Sequence, residues 1–151
     1  MEIQITLCLP REAATAHLTR QVLDASLGVI GITPDTRADI TLALGEACAN
    51  VILHADNSDE YEVRASVYRD RCVIEVIDTG RGFDGAALKE STGTRDGEHG
   101  RGLQIIRALT ENLQIKDLNR RGAMVRFEKS LDWMPGSPAA LLAVEAGNAA
   151  G

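Results

Sequence analysis

The strand-like segments of this chain come mostly in adjacent pairs. Residues 61–68 and 72–77 carry strand-type apolar patterning and are separated only by Arg69-Asp70-Arg71. A connection that short permits reversal and nothing else, so the two strands are antiparallel. Residues 114–118 and 124–131 form a second pair, turned at Asn119-Arg120-Arg121-Gly122. One further strand, residues 2–9, has Ile3, Ile5, Leu7 and Leu9 on a single face and stops at Pro10. Two helical stretches, residues 11–27 and 33–54, lie between it and the first pair, and a third, residues 103–113, lies between the pairs. The order strand, helix, helix, hairpin, long loop, helix, hairpin predicts an α+β fold. It is a two-layer α/β sandwich with helices on one face of a mostly antiparallel sheet. A doubly wound fold would need helices alternating with single strands, and is excluded.

The 151 residues suit one compact domain. Residues 1–131 are expected to form it, and residues 132–151 to be an Ala-, Pro- and Gly-rich tail outside any site. Thr33-Pro34-Asp35 is a helix start: a capping hydroxyl, Pro at the first position, an acid in the first turn. Residues 28–31 read as a break. The helix that follows has one apolar stripe at Ile40, Ala43, Leu44, Ala47 and Val51. A second, at Ala38, Leu42, Ala49 and Leu53, lies nearly opposite. Both are expected to be covered, by a neighbouring helix or by a partner.

Composition narrows the function. A net charge of −6 and an aromatic content of 3% argue against direct nucleic-acid binding. No stretch is long and apolar enough to span a membrane, and the alternating N-terminus is no signal peptide. Cys8, Cys48 and Cys72 are odd in number and widely spaced, with no metal-ligand pattern. They read as buried thiols in a reducing, cytoplasmic setting.

Three segments carry chemistry. Glu46, Asn50 and His54 follow one another at successive turns along the edge of the main apolar stripe, where a cleft would open. An Asn oxygen suits Mg²⁺, which takes few protein ligands, and a Glu one turn away could accept a proton from an attacking hydroxyl. A solvated polar helix edge explains the same residues. His54 is read as a cap at the helix C-terminus. Next, the strand ending at Ile77 runs into Asp78-Thr79-Gly80-Arg81-Gly82, a carboxylate beside backbone that can approach a ligand closely. An ordinary Asp-Gly turn is the alternative. Last, Gly97-Glu98-His99-Gly100-Arg101-Gly102-Leu103 opens a helix, where free N–H groups favour phosphate. The long polar loop before it, residues 83–99, suits a lid. It is neither a P-loop nor a Rossmann fingerprint, because no Gly-Lys-Ser/Thr follows and no strand runs directly into Gly100.

Glu46-x-x-x-Asn50, Asp78-x-Gly80-x-Gly82, Gly100-x-Gly102 and Gly122 before a final strand, in that order, resemble the GHKL ATPase superfamily. The likeness spans residues 1–131, and the short single-domain form is similar to the anti-sigma factor/serine-protein kinase branch. The resemblance implies the Bergerat ATP-binding fold, with ATP and Mg²⁺ as cofactors. Asn50 would hold the metal. Asp78 would bind the adenine amine, in a pocket shaped by Gly80 and Gly82. Gly100 and Gly102 would contact the phosphates, with Arg95 or Arg101 on the γ-phosphate. Glu46 would activate a serine or threonine hydroxyl. Implied partners are a STAS-domain anti-sigma antagonist as substrate, a sigma factor to sequester, and a second copy in a homodimer. A nucleotide-binding switch without phosphotransfer, and a subunit of a histidine-kinase-like pathway, stay open. One departure stands out: the family often has Thr after the last glycine, whereas Gly122-Ala123-Met124-Val125 has no hydroxyl.

Overall fold

The computed structural model describes residues 2–54, 60–78, 97–117 and 123–137. In chain order they form β1 (Ile3–Pro10), α1 (Ala13–Ile30), α2 (Pro34–His54), β2 (Glu60–Val67), β3 (Arg71–Asp78), α3 (Gly97–Leu109), β4 (Glu111–Asp117) and β5 (Ala123–Ser130). The strands make one sheet in the order β1-β2-β3-β5-β4, and every neighbouring pair is antiparallel. The last strand therefore inserts beside β3 and leaves β4 at the edge. The two hairpins and the helix grouping stand as the sequence indicates.

Strand alternation assigns the faces. Ile3, Ile5, Leu7 and Leu9 on β1 align with Val67, Ala65, Val63 and Tyr61 on β2. Those align in turn with Cys72, Ile74, Val76 and Asp78 on β3. This face packs against the helices, with Val125 and Phe127 from β5, and forms the core. The opposite face carries Arg64, Glu75 and Arg126 in one cross-strand row. Cys8 belongs to that opposite face and is exposed. The expectation of three buried thiols is corrected here: a two-residue period places position 8 away from the core, while Cys48 and Cys72 are fully buried.

Helix α1 buries Thr15, Thr19, Leu23 and Leu27 along one side. It runs through the expected break at residue 28 and ends at Gly31, whose φ of 110° only glycine adopts freely. The Ile32 and Gly31 N–H groups bond back to the Leu27 and Gly28 carbonyls, a Schellman closure. Gly28 is instead a packing notch, because a Cβ there would collide with the Arg37 guanidinium. Helix α2 starts at Pro34 as expected, with the Thr33 hydroxyl donating to Thr36 Oγ1 at 3.0 Å. Its first apolar stripe is wholly buried. The second is not covered: Leu42 and Leu53 are 48% and 63% exposed. The C-terminal end of α2 is capped by Arg11, whose Nε donates to the Ile52 carbonyl at 2.9 Å; the His54 side chain lies outside the described residues.

Residues 132–137, expected to be the start of a tail, pack onto the α1–α2 corner. Thr33 N–H donates to the Asp132 carbonyl, Met134 N–H to Gly31, and Trp133 Nε1–H to Arg69.

Candidate functional site

Thr15, Thr19, Thr36, Asn50, Ser66 and Asp78 are the buried polar side chains among the described residues, and Asp78 is the one carboxylate in that set. It is fully buried at the end of β3, the central strand. Burying a carboxylate costs several kcal/mol, on the order of what a whole core contact contributes, unless donors meet it. Its cross-strand neighbours are Tyr61 on β2 and Ala123 on β5. Tyr61 was not singled out from the sequence. The two-residue turn at Arg69-Asp70, closed by Tyr68 N–H donating to the Arg71 carbonyl at 2.8 Å, fixes the hairpin register and so pairs 61 with 78.

Tyr61 faces the helices from the position opposite Asp78, and its hydroxyl is turned into the helix layer, 2.8 Å from Thr15 Oγ1. Thr15 donates its single proton towards the Pro10 and Glu12 carbonyls, at 2.8 and 2.7 Å. Tyr61 must therefore be the donor to Thr15. Cys48 on α2 also shares a hydrogen bond with Tyr61, and burial pushes its thiol up to about 12. Burial likewise raises the Tyr61 phenol. The wall beside Asp78 thus joins β1, α1, α2 and β2 through neutral groups.

The second part of the site is the α2–α3 contact. Glu46 is half-buried and Asn50 is buried at 4% exposure. Both lie against Gly102. A Cβ built on Gly102 would stand 3.0 Å from Glu46 Oε2 and 3.8 Å from both Asn50 side-chain termini. The two side chains thus converge on one point of α3. Asn50 Nδ2 is buried and has no hydrogen-bond partner among the described residues. A buried amide left unspent carries a penalty of about 1–3 kcal/mol, which a ligand would relieve.

At its other end α3 is tied to α2 through Lys129 on β5. Its ammonium donates to the Leu109 carbonyl at 2.7 Å and pairs with Asp39 Oδ2 at 3.0 Å. Asp39 therefore lies near the end of α3, and Glu46 and Asn50 near its start, so the two helices run antiparallel. The first turn of α3 points along α2 past Asn50, and carries the helix's unsatisfied N–H groups.

The helix begins earlier than its sequence suggests, at Gly97 rather than Leu103. Gly100, the fourth residue of the helix, closes the first turn, at the inner limit of the N–H groups that a helix start leaves unspent. Gly102 is farther in, where α-helical geometry uses the N–H internally. Glycine propensity reads this run as a loop, but at Gly102 the close approach to α2 leaves no room for a side chain unless Glu46 gives way. Arg101 is exposed on the same helix. Gly80, Gly82 and Arg95 lie outside the described residues, as does most of the expected lid. The missing hydroxyl also acquires a definite place: Ala123, not Met124, is aligned with Asp78, while Met124 pairs with Ile77 on the opposite face.

An oxygen-lined point between two helices, a buried carboxylate on a strand that packs against one of them and the N-terminus of the other form a nucleotide-type arrangement. The family profile described as "Histidine kinase-like ATPase domain" matches residues 9–129. The chain belongs to that family. The serine-protein kinase RsbW of Halalkalibacterium halodurans (strain ATCC BAA-125 / DSM 18197 / FERM 7344 / JCM 9153 / C-125) is 32% identical over 122 residues, covering 75% of each chain. The serine-protein kinase RsbW of Bacillus mycoides (strain KBAB4) is 30% identical over 122 residues, covering 74% of this chain and 76% of that one. In fold, the chain is similar to the histidine kinase domain of the Erythrobacter litoralis EL346 blue-light activated histidine kinase. The TM-score is 0.51 at 18% identity, over 91% of this chain and 66% of that one. The chain thus spans a little under two thirds of that domain. No helix among the described residues is long and apolar enough to cross a membrane.

Proposed function

We propose that this protein is an ATP-dependent serine/threonine protein kinase and anti-sigma factor. It would phosphorylate a STAS-type antagonist and, in its other state, sequester a sigma factor, as a cytoplasmic homodimer. The single observation that carries the reading is the convergence of Glu46 and Asn50 on Gly102, with Asp78 buried at the end of the central strand, in a chain similar to serine-protein kinases.

Glu46, Asn50, Asp78, Gly100, Arg101 and Gly102 are described residues, whereas the roles of Gly80, Gly82 and Arg95 rest on the motif order alone. Asp78 accepts the exocyclic amine of adenine, with Gly80 and Gly82 allowing the base to approach the backbone. The first-turn amides of α3, Gly100 among them, meet the phosphates, and Arg95 or Arg101 offsets γ-phosphate charge. Gly102, which the resemblance sets against the phosphates, carries no side chain at the point where Glu46 and Asn50 converge. A Mg²⁺ ion fits the oxygens here, the Asn50 amide oxygen with the Glu46 carboxylate nearby, while Asn50 Nδ2, a buried donor with no partner among the described residues, suits a phosphate oxygen. Asn50 would hold the ion, and bound there it would spread the charge of the phosphate oxygens. Glu46 takes the proton of the substrate serine or threonine. The freed oxygen forms a bond to the γ-phosphorus as the bond to the β–γ bridging oxygen breaks, and ADP leaves.

One observation favours a second reading, a nucleotide-holding switch without transfer. Ala123 is the cross-strand partner of Asp78 and supplies no hydroxyl for the adenine side. The test is transfer of labelled phosphate from ATP to purified STAS-domain proteins in the presence of Mg²⁺. Label on a serine or threonine, lost with Glu46→Gln but kept with Glu2→Gln, supports the kinase. ATP binding with no transfer to any candidate would leave the switch.

A further inference from the structure

We infer that Gly102 is a positioning residue for Glu46: it is the gauge that sets how far the carboxylate projects from α2. The inference rests on the kinase reading for its consequence, but on the α2–α3 contact for its geometry.

Helix α3 has little freedom to move away from α2. Leu103, next to Gly102, is 1% exposed and Ile106 is fully buried. Lys129 ties the far end of α3 to Asp39 and to the sheet. The spacing from Asp39 to Glu46 along α2 equals that from Leu109 back to Gly102 along α3, about 10 Å at 1.5 Å per residue. Two antiparallel helices held in register at one end therefore meet at the other with fixed separation. Glu46 Oε2 lies in the gap that the missing Cβ leaves.

A methyl group at 102 would meet that oxygen at 3.0 Å, closer than carbon and oxygen pack comfortably. The two Asn50 termini, at 3.8 Å, would be in ordinary contact. The carboxylate would yield, by a few tenths of an ångström, while Asn50 and Asp78 stayed in place. A catalytic base is sensitive to displacements on that scale, since a shift of about 1 Å in a reacting group costs on the order of 100-fold in rate. Adenine recognition at Asp78 is not.

The inference separates Gly102 from a phosphate contact. Loss of a phosphate contact weakens ATP binding. Displacement of the base lowers turnover at saturating ATP. Helix propensity adds a second contrast, because Gly→Ala inside a helix ordinarily stabilises.

The test is Gly102→Ala, alone and with Glu46→Ala. In the parent background we expect ATP affinity within about threefold and a fall in kcat for phosphotransfer of about tenfold. In unfolding, Gly102→Ala should raise Tm by about 2–4 °C when Glu46 is already Ala, and by less or not at all when Glu46 is present. Equal Tm shifts in the two backgrounds would overturn the inference, as would an ATP affinity loss of tenfold or more with kcat unchanged. If the parent protein bound no ATP, the kinase reading would fall, and the unfolding cycle would still decide whether Gly102 gauges Glu46.

Discussion

Removing the Tyr61 hydroxyl and removing the Thr15 hydroxyl should have unequal effects, although they cut the same 2.8 Å hydrogen bond. Both side chains are buried, at 1% and 8% exposure. Thr15 spends its proton on the Pro10 and Glu12 carbonyls, so Tyr61→Phe deprives it only of a donor to its lone pair. That loss is worth about 1 kcal/mol. Thr15→Val removes the bonds to both carbonyls as well as one acceptor of the Tyr61 hydroxyl, which is left with Thr19 and the weakly accepting Cys48 sulfur. The cost should reach about 2–3 kcal/mol. The shared bond can be lost only once, so adding Tyr61→Phe to Thr15→Val should cost less than Tyr61→Phe does alone. Urea unfolding of the four proteins measures this directly, with m-values checked for constancy. Costs that add to within about 0.5 kcal/mol, or a Tyr61→Phe cost as large as that of Thr15→Val, would refute the donor assignment and the account of the wall beside Asp78.

Other outcomes follow from the same structure. A thiol reagent should modify one cysteine of the native protein rapidly, Cys8, and the other two only on unfolding, because Cys48 and Cys72 are fully buried; three fast thiols would contradict the packing. Burial pushes both of those thiols up to about 12 from 9.0. Above pH 9 the unfolded chain loses their protons and the folded chain keeps them. Stability should be unaffected by them below pH 9 and fall between pH 9 and 12, by about 1.4 kcal/mol per pH unit for each thiol, as read from urea midpoints. Lys129→Met should cost about 2 kcal/mol, since it removes a charge-assisted bond to the end of α3 and leaves the partly exposed Asp39 to solvent; a change below about 0.5 kcal/mol would remove Lys129 as the tie between α2 and α3. Asn50→Ala should weaken ATP binding in Mg²⁺ far more than in EDTA, by isothermal titration, and equal losses would rule out Asn50 as the metal's holder.

The sequence is most informative where pattern and packing agree. Alternation in β1, the short turn at Arg69-Asp70 and the helix start at Pro34 each reflect one local rule, and the structure obeys all three. The insertion of β5 between β3 and β4 has no local signature, because hairpins specify which strands pair through a turn but not which edge then docks. The start of α3 is hidden for the opposite reason. Glycines disfavour a helix locally, and the contact of Gly102 with Glu46 and Asn50 outweighs that preference. Of the candidate site, Glu46, Asn50 and Asp78 are legible as an ordered set of polar residues at strand and helix positions. The neighbours that give them their environment, Tyr61 and Ala123, become visible only once strand register is known. The exposed Leu42 and Leu53 show the converse limit: apolar spacing marks a stripe, and does not say whether a neighbour covers it.

The central place of β3 has a consequence for how the protein is made. Asp78 acquires its second cross-strand neighbour only when β5, the last strand, has paired. At ordinary rates of synthesis the ribosome needs roughly 3–10 s to add the fifty or so residues that separate the two. During that interval β3 is an open edge with a half-built pocket, and any chaperone that protects nascent strands has its clearest target there. A nucleotide that requires the finished row can bind only the completed domain. It can reward folding once folding has occurred, and cannot guide the chain towards it.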